Sequence, residues 1–441
     1  MSSGTTEVVV LAREGEYRVE VPPQTEVGVK LKSGSAELFG VELAIDREYA
    51  FRDRKLAIFT WYGCTLEVRG APEVAYTSEE TPMDSYLNIH AQLQRRRELA
   101  KAKHAAGPRV LVCGPVDSGK STLTQILANY ALRLGEKPTL VELDVAHGCL
   151  SVPGTLSASP LDMNSLSIEE DFILTNPLAF FYGHAASSEN VELFRYLQQQ
   201  LAKAVKRRLA NDEEVNASGC VINTCGWVDG TGFDLLVHAI QDFEVDVVLV
   251  IGQDRLYSRL QSALTGANAN GVDRSIVKLS RSGGVVPLNT KLRSAARISC
   301  IREYFYGAHS LSVTIPTLSP CINEFSFDEV SFFAIKDMKV SDVMLPVGQM
   351  ETQTDRLRIV PVEKTADLGH SLAAVAHPRH GQDAASSSSS ADLSWLLGAP
   401  AAGFVFIKEV RVAEQKLMLL VPSPGPLPSR NLLVGSIKWM E

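Results

Sequence analysis

No stretch of this sequence reaches the ~18–20 consecutive apolar residues that a membrane-spanning helix needs, so no association with a membrane is expected. The first residues, MSSGTTEVVV, lack the basic and apolar regions of a secretory signal. Paired cysteines are missing as well. The seven cysteines (64, 113, 149, 220, 225, 300 and 321) include no C-x-x-C and mostly sit inside apolar runs, which argues against zinc and for buried free thiols. A reducing compartment, cytosol or nucleus, follows. There is no internal repeat. Positive charge is in deficit too, with a formal net charge of −8, so a protein that coats duplexes through its whole surface is excluded. A local groove for a strand end remains compatible with that balance.

Apolar residues make up 45% and charged residues 21%, the balance of a globular protein, and 441 residues exceed one ordinary core. Residues 7–78 show period-two patterning, as where Val27, Val29 and Leu31 alternate with Gly28, Lys30 and Lys32. Tyr17, Val19 and Val21 alternate likewise with Arg18 and Glu20. Broken by Pro-Pro, Ser-Gly and Tyr-Gly turns, these runs predict a small antiparallel sandwich or barrel. A polar stretch over 84–106 predicts a connecting helix. The pattern then changes. RVLVCG (109–114), TLVELDV (139–145), GCVINTCGW (219–227) and VDVVLVIG (245–252) are apolar runs without alternation, separated by amphipathic stretches at 121–135 and 190–210. That order predicts an α/β domain with a parallel sheet and helices on both faces. After 310 the β-type alternation returns in 311–316, 356–362, 403–421 and 432–440, interrupted by a Ser-rich insertion at 377–394. The expected organisation is an N-terminal β-sandwich with its connecting helix (1–105), a P-loop domain (106–310) and a C-terminal mainly-β domain with some helix (311–441).

Gly114-Pro-Val-Asp-Ser-Gly119-Lys120-Ser121 fits G-x-x-x-x-G-K-[ST] at every fixed position, with a strand before it and a helix after it. Glycines let backbone N–H groups turn toward an anion, and the following helix N-terminus adds partial positive charge. Lys120 is placed to reach the β- and γ-phosphates of a nucleotide and Ser121 to ligate Mg²⁺, with Thr122 beside them. Asp144, closing TLVELD, stands where the metal's acidic partner belongs and is also suited to orient or deprotonate an attacking hydroxyl. Glu142, two residues earlier, is the second candidate. In NTCGWVDGTG (223–232), Trp227 is suited either to stack on a base or to pack beneath its loop. Arg293 and Arg297 lie four apart on a predicted helix, a spacing that suits a lid over a transferring phosphoryl group. The run of Lys203, Lys206, Arg207 and Arg208 reads as a solvated helix face.

The segments EVAYTSEETPMDSYLNIH (73–90), GPVDSGKSTL, LGEKPTLVELDVAHGCLSVPGT (134–155), GCVINTCGWVDGTG and SGGVV…IREYFYG (282–307) together resemble the Clp-type polyribonucleotide 5′-hydroxyl kinases. These are subunits of the pre-mRNA 3′-end cleavage machinery that also associate with the tRNA-splicing endonuclease. The resemblance implies that Asp117, Ser118, Gly119, Lys120, Ser121 and Thr122 hold ATP and Mg²⁺, and that Asp144 assists attack by an RNA 5′-hydroxyl. It further implies that Trp227 contacts the terminal nucleotide, that Arg293 and Arg297 form the lid, and that Glu16 and Lys55 of the β domain clamp the adenine. His147 stands where a glutamine is common in relatives. The intact loop favours an active enzyme, and the resemblance implies an RNA kinase of the nucleus, with an ATP-bound scaffold that does not turn over as the rival role. VIGQDRL (250–256) lacks the Asn-Lys-x-Asp that guanine selection would require.

Overall fold

A computed structural model describes residues 6–23, 25–146, 150–174, 177–265, 274–307, 318–338, 356–378 and 390–440. His147, the segment 311–316 and most of the Ser-rich insertion lie outside the described residues. Among the described residues, no helix is long and apolar enough to cross a membrane.

The N-terminal part is an antiparallel sandwich of a four-stranded and a five-stranded sheet. In strand Glu16–Val21, Tyr17, Val19 and Val21 turn into the sandwich core, as the alternation predicts. The opposite face, carrying Glu16 and Arg18, is buried as well. Helix α1 (Met83–Lys103) leads from the sandwich to the central part, where Met83, Tyr86 and Leu93 join an apolar core with the sheet.

The central sheet runs in the order Leu178–Phe181, Thr155–Pro160, Thr139–Glu142, Cys220–Asn223, Arg109–Cys113, Val247–Ile251, Ser275–Leu279. Its last five strands are parallel, and helices cover both faces. On one side lie α1 and α2 (Lys120–Arg133); on the other lie α3 (Val191–Asn211), with the short α4 (Glu213–Ser218) after it, then α5 (Thr231–Asp242) and α6 (Asp254–Thr265). Strands buried on both faces need continuous apolar sequence, which is why the central runs show no alternation. The sheet is mixed where a parallel one was expected, because Thr139–Glu142, Thr155–Pro160 and Leu178–Phe181 pair antiparallel. The connection between the first two carries no crossover helix among its described residues, and parallel pairing requires a crossover.

The C-terminal part is one seven-stranded, largely antiparallel sheet with 3-10 turns, from Cys321–Ser326 to Asn431–Lys438 in sequence. Helix α7 (Thr290–Tyr306) joins it to the centre, burying Ile301 and Phe305 among Phe404, Phe406 and Trp439.

Candidate active site

The parallel strands end at one sheet edge, and their register assembles the site. Glu142 pairs with Asn223, and Asn223 with Val112, one residue before the strand that feeds the glycine loop ends. The loop then turns into α2 at Gly119, whose φ of 89° is the left-handed conformation that glycine adopts without strain. Lys120, the first residue of α2, is only 7% exposed. Its ammonium donates to the Pro115 carbonyl of the same loop at 2.8 Å. Burial pushes Lys120 below its ordinary value, and the nearby Asp144 carboxylate acts in the opposite sense. A buried cation held by one carbonyl is well matched to an anionic ligand.

Ser121 stands beside a polar network that the apolar run CVIN conceals. Asn223 Nδ2 lies 3.0 Å from Ser121 Oγ and 3.0 and 2.9 Å from the two Glu142 oxygens. Asp144 lies half-buried just beyond, accepting from the Ala146 amide at 3.0 Å, while its own amide donates to Glu142 at 2.8 Å. Asn223 Oδ1 is buried with no partner among the described residues. Hard oxygen donors from Ser121, Glu142 and Asp144, with that orphaned oxygen adjacent, suit a small divalent cation bound by one or two carboxylates plus phosphate oxygens. The residues present therefore fit Mg²⁺.

One cavity of about 580 Å³ connects these groups. Glu16, Arg18, Lys55, Phe59, Met83 and Tyr86 line it from the sandwich and α1. The central part contributes the glycine loop residues 117–122, Glu142, Asp144, Ser187, Cys225 and Trp227. Glu16 is 4% exposed, paired with the Arg18 guanidinium and accepting from Thr81 Oγ1 at 2.9 Å. Lys55 pairs with Glu20 at 3.0 Å and keeps 40% of its side chain exposed. Tyr86 is pushed up to about 12 by burial, with the Glu16 charge adding to the effect. Trp227 lines the cavity and also packs against the core, next to Gly232. Cys225 Sγ lies 3.6 Å from Ser187 Oγ, and burial raises its thiol, which favours the uncharged form.

Arg293 lines the cavity and pairs with Asp117 of the loop at 2.6 Å. Arg297, one turn further along α7, does not line the cavity and has no ion pair among the described residues. The structure thus gathers all the sequence-derived candidates except Arg297 around one space. Sequence reasoning passed over Arg18 and Asn223. Arg18 looks like a solvent-facing residue on an alternating strand, until the central part covers that face. Asn223 gave one signal: a polar residue closing an otherwise apolar strand.

Family models match over most of the chain: the N-terminal β-sandwich domain of polyadenylation factor over residues 10–100, the mRNA cleavage and polyadenylation factor CLP1 P-loop over 114–307, and pre-mRNA cleavage complex II protein Clp1 over 318–441. The chain is 41% identical to the protein CLP1 homolog of Arabidopsis thaliana, covering 100% of this chain and 95% of that protein. It is 39% identical to the polyribonucleotide 5′-hydroxyl-kinase Clp1 of Danio rerio, over 100% and 95%. The structure of wild-type Clp1p in complex with Pcf11p superimposes with a TM-score of 0.81 at 25% identity, covering 99% of both chains.

Proposed function

The chain belongs to the Clp1 family, and from that premise we propose that it transfers the γ-phosphate of ATP to the 5′-hydroxyl end of RNA. The observation that carries this reading is the single cavity running from Glu16 past Lys120 and Asp144 to Trp227. Its lining brings together buried charged groups of the sandwich, a glycine-rich loop with two acids, and an indole, the groups that a base site, a phosphate site and an acceptor site would need.

The 5′-oxygen attacks the γ-phosphorus as its proton passes to the Asp144 carboxylate. The new oxygen–phosphorus bond forms while the bond to the bridging oxygen of ADP breaks, and ADP leaves with that electron pair. Lys120 exchanges the Pro115 carbonyl for phosphate oxygens, and Arg293 faces the transferring group from the opposite wall. Ser121, Glu142 and Asp144 would hold Mg²⁺, which when bound neutralises charge on the β- and γ-phosphate oxygens. Glu16 and Lys55 hold the adenine end, and Trp227 supplies a stacking surface for the terminal nucleotide, a contact worth ~1–3 kcal/mol in single-strand binding.

Membership in the family also supports a place in the pre-mRNA cleavage machinery, and with it a nuclear location and contact with the tRNA-splicing endonuclease. Purified protein given γ-labelled ATP and matched oligonucleotides tests the central reaction. RNA ending in a 5′-hydroxyl should gain label, and the same RNA already carrying a 5′-phosphate should gain none. ATP retained through purification with no label on any oligonucleotide would leave only the scaffold role.

A further inference from the structure

Asp117 is the one acidic residue of the glycine loop, and its carboxylate is engaged by the segment that leads into α7. A single oxygen, Asp117 Oδ2, accepts from Arg293 at 2.6 Å and from the Leu288 amide at 3.1 Å. Leu288 immediately precedes Asn289, which caps α7 by accepting from the Leu292 amide at 2.8 Å. One carboxylate therefore fixes both the approach to α7 and its inward-facing arginine. The ion pair is partly sheltered, with side chains 23% and 18% exposed. Asp117 itself sits at φ 54°, a left-handed conformation uncommon outside glycine and asparagine. The same segment is fitted elsewhere along its length. Val285 lies against Gly119, and Gly284 lies so close to Arg18 that an added Cβ would stand 2.6 Å from the guanidinium Nε. Residues 282–293 thus run as a strap from the base end of the cavity to the phosphate loop.

Resting on the kinase reading above, we propose that Asp117 is the resting partner of Arg293 and that the γ-phosphate competes with it for that arginine. A guanidinium that neutralises Asp117 cannot at the same time hold both of its forks on the transferring phosphoryl group. ATP brings a γ-phosphate that draws Arg293 off Asp117. ADP lacks that group and leaves the pair closed. After transfer the phosphate departs on the RNA and Arg293 returns to Asp117, which resets the strap. Asp117 on this view is a positioning residue that separates ATP from ADP, and not a direct nucleotide ligand.

The test uses the full chain with Asp117→Asn, which tolerates positive φ and keeps an acceptor for Leu288 while removing the charge, and Asp117→Gly as a second variant suited to the same backbone. Binding of ADP and of a non-hydrolysable ATP analogue is measured for each, with hydrogen exchange over residues 282–300. Both variants should bind the analogue more tightly, by about fivefold, since the competing partner is gone. ADP affinity should change less than about twofold. Exchange across the strap should be faster than wild type without nucleotide and with ADP, and for Asp117→Asn, which keeps the acceptor for Leu288, equal to it with the analogue. Loss of affinity for both nucleotides alike would show that Asp117 binds nucleotide directly and would overturn the proposal. So would wild-type exchange in every state. Neither readout depends on RNA, so absence of RNA phosphorylation by the wild type would sink the kinase reading and not this one.

Discussion

At the scale of single residues, the interior holds ionisable groups in forms that burial selects. His90, on α1, is 7% exposed and packs 5.2 Å from the Tyr130 ring. Burial lowers its pKa from 6.5 to about 4, and the Arg97 and Arg133 charges push the same way. An imidazole depressed in the folded state binds its proton less readily than in the unfolded chain. The unfolded state therefore takes up more protons between about 6.5 and about 4, and stability falls as pH falls through that window. The loss attributable to His90 should approach about 3 kcal/mol near pH 4. Thermal melts of wild type and His90→Gln at pH 4.5, 5.5 and 7 should therefore diverge, the wild type losing more as pH drops. Parallel curves would mean that the imidazole does not titrate with folding.

Among the elements, α7 connects chemistry to architecture. Its first turns carry Arg293 to the glycine loop, while Ile301 and Phe305 are sunk in the C-terminal core. Phe305 stacks on Trp439 with ring centroids 5.5 Å apart, and Trp439 is 1% exposed. Trp439→Ala should cost roughly 3–5 kcal/mol of stability. With the anchor of α7 loosened, kcat should fall more than KM for ATP, whose base end lies elsewhere; an unchanged kcat in folded variant would uncouple the helix from catalysis. The two ends of α7 were not equally visible in the sequence. A helix was expected over Arg293 and Arg297, their four-residue spacing putting both on one face, and α7 spans both. That spacing could not say that only Arg293 reaches the cavity, because this depends on how Phe305 and Trp439 seat the helix. The glycine loop was fully legible, since its chemistry demands particular residues at fixed intervals. The antiparallel edge strands were not, because Thr155–Pro160 (TLSASP) is short and carries only Leu156 and Ala158 between hydroxyl residues, too weak an apolar run to mark a strand. Glu16 and Lys55 were reachable only by resemblance. A charged residue on an alternating strand looks solvated until a second domain closes over it.

For the molecule as a whole, the site belongs to no single layer: the sandwich supplies Glu16, Arg18 and Lys55, the central sheet the glycine loop and acids, and α7 hangs from the C-terminal sheet. Combined with a net charge of −8, this geometry favours capture of a strand end over capture of a strand's length. About three phosphate contacts would give a slope near −2 in a log–log plot of RNA affinity against salt. Affinity should level off beyond a few nucleotides, whereas a slope steeper than about −5, or affinity growing with length, would indicate a basic track along the surface. The central claim is a transfer, and counting products tests it most directly. With 5′-hydroxyl RNA in excess, the wild type should form one 5′-phosphorylated RNA for each ADP, and Lys120→Ala should form neither above background. ADP released without matching RNA ends, or label transferred equally well by Lys120→Ala, would contradict it.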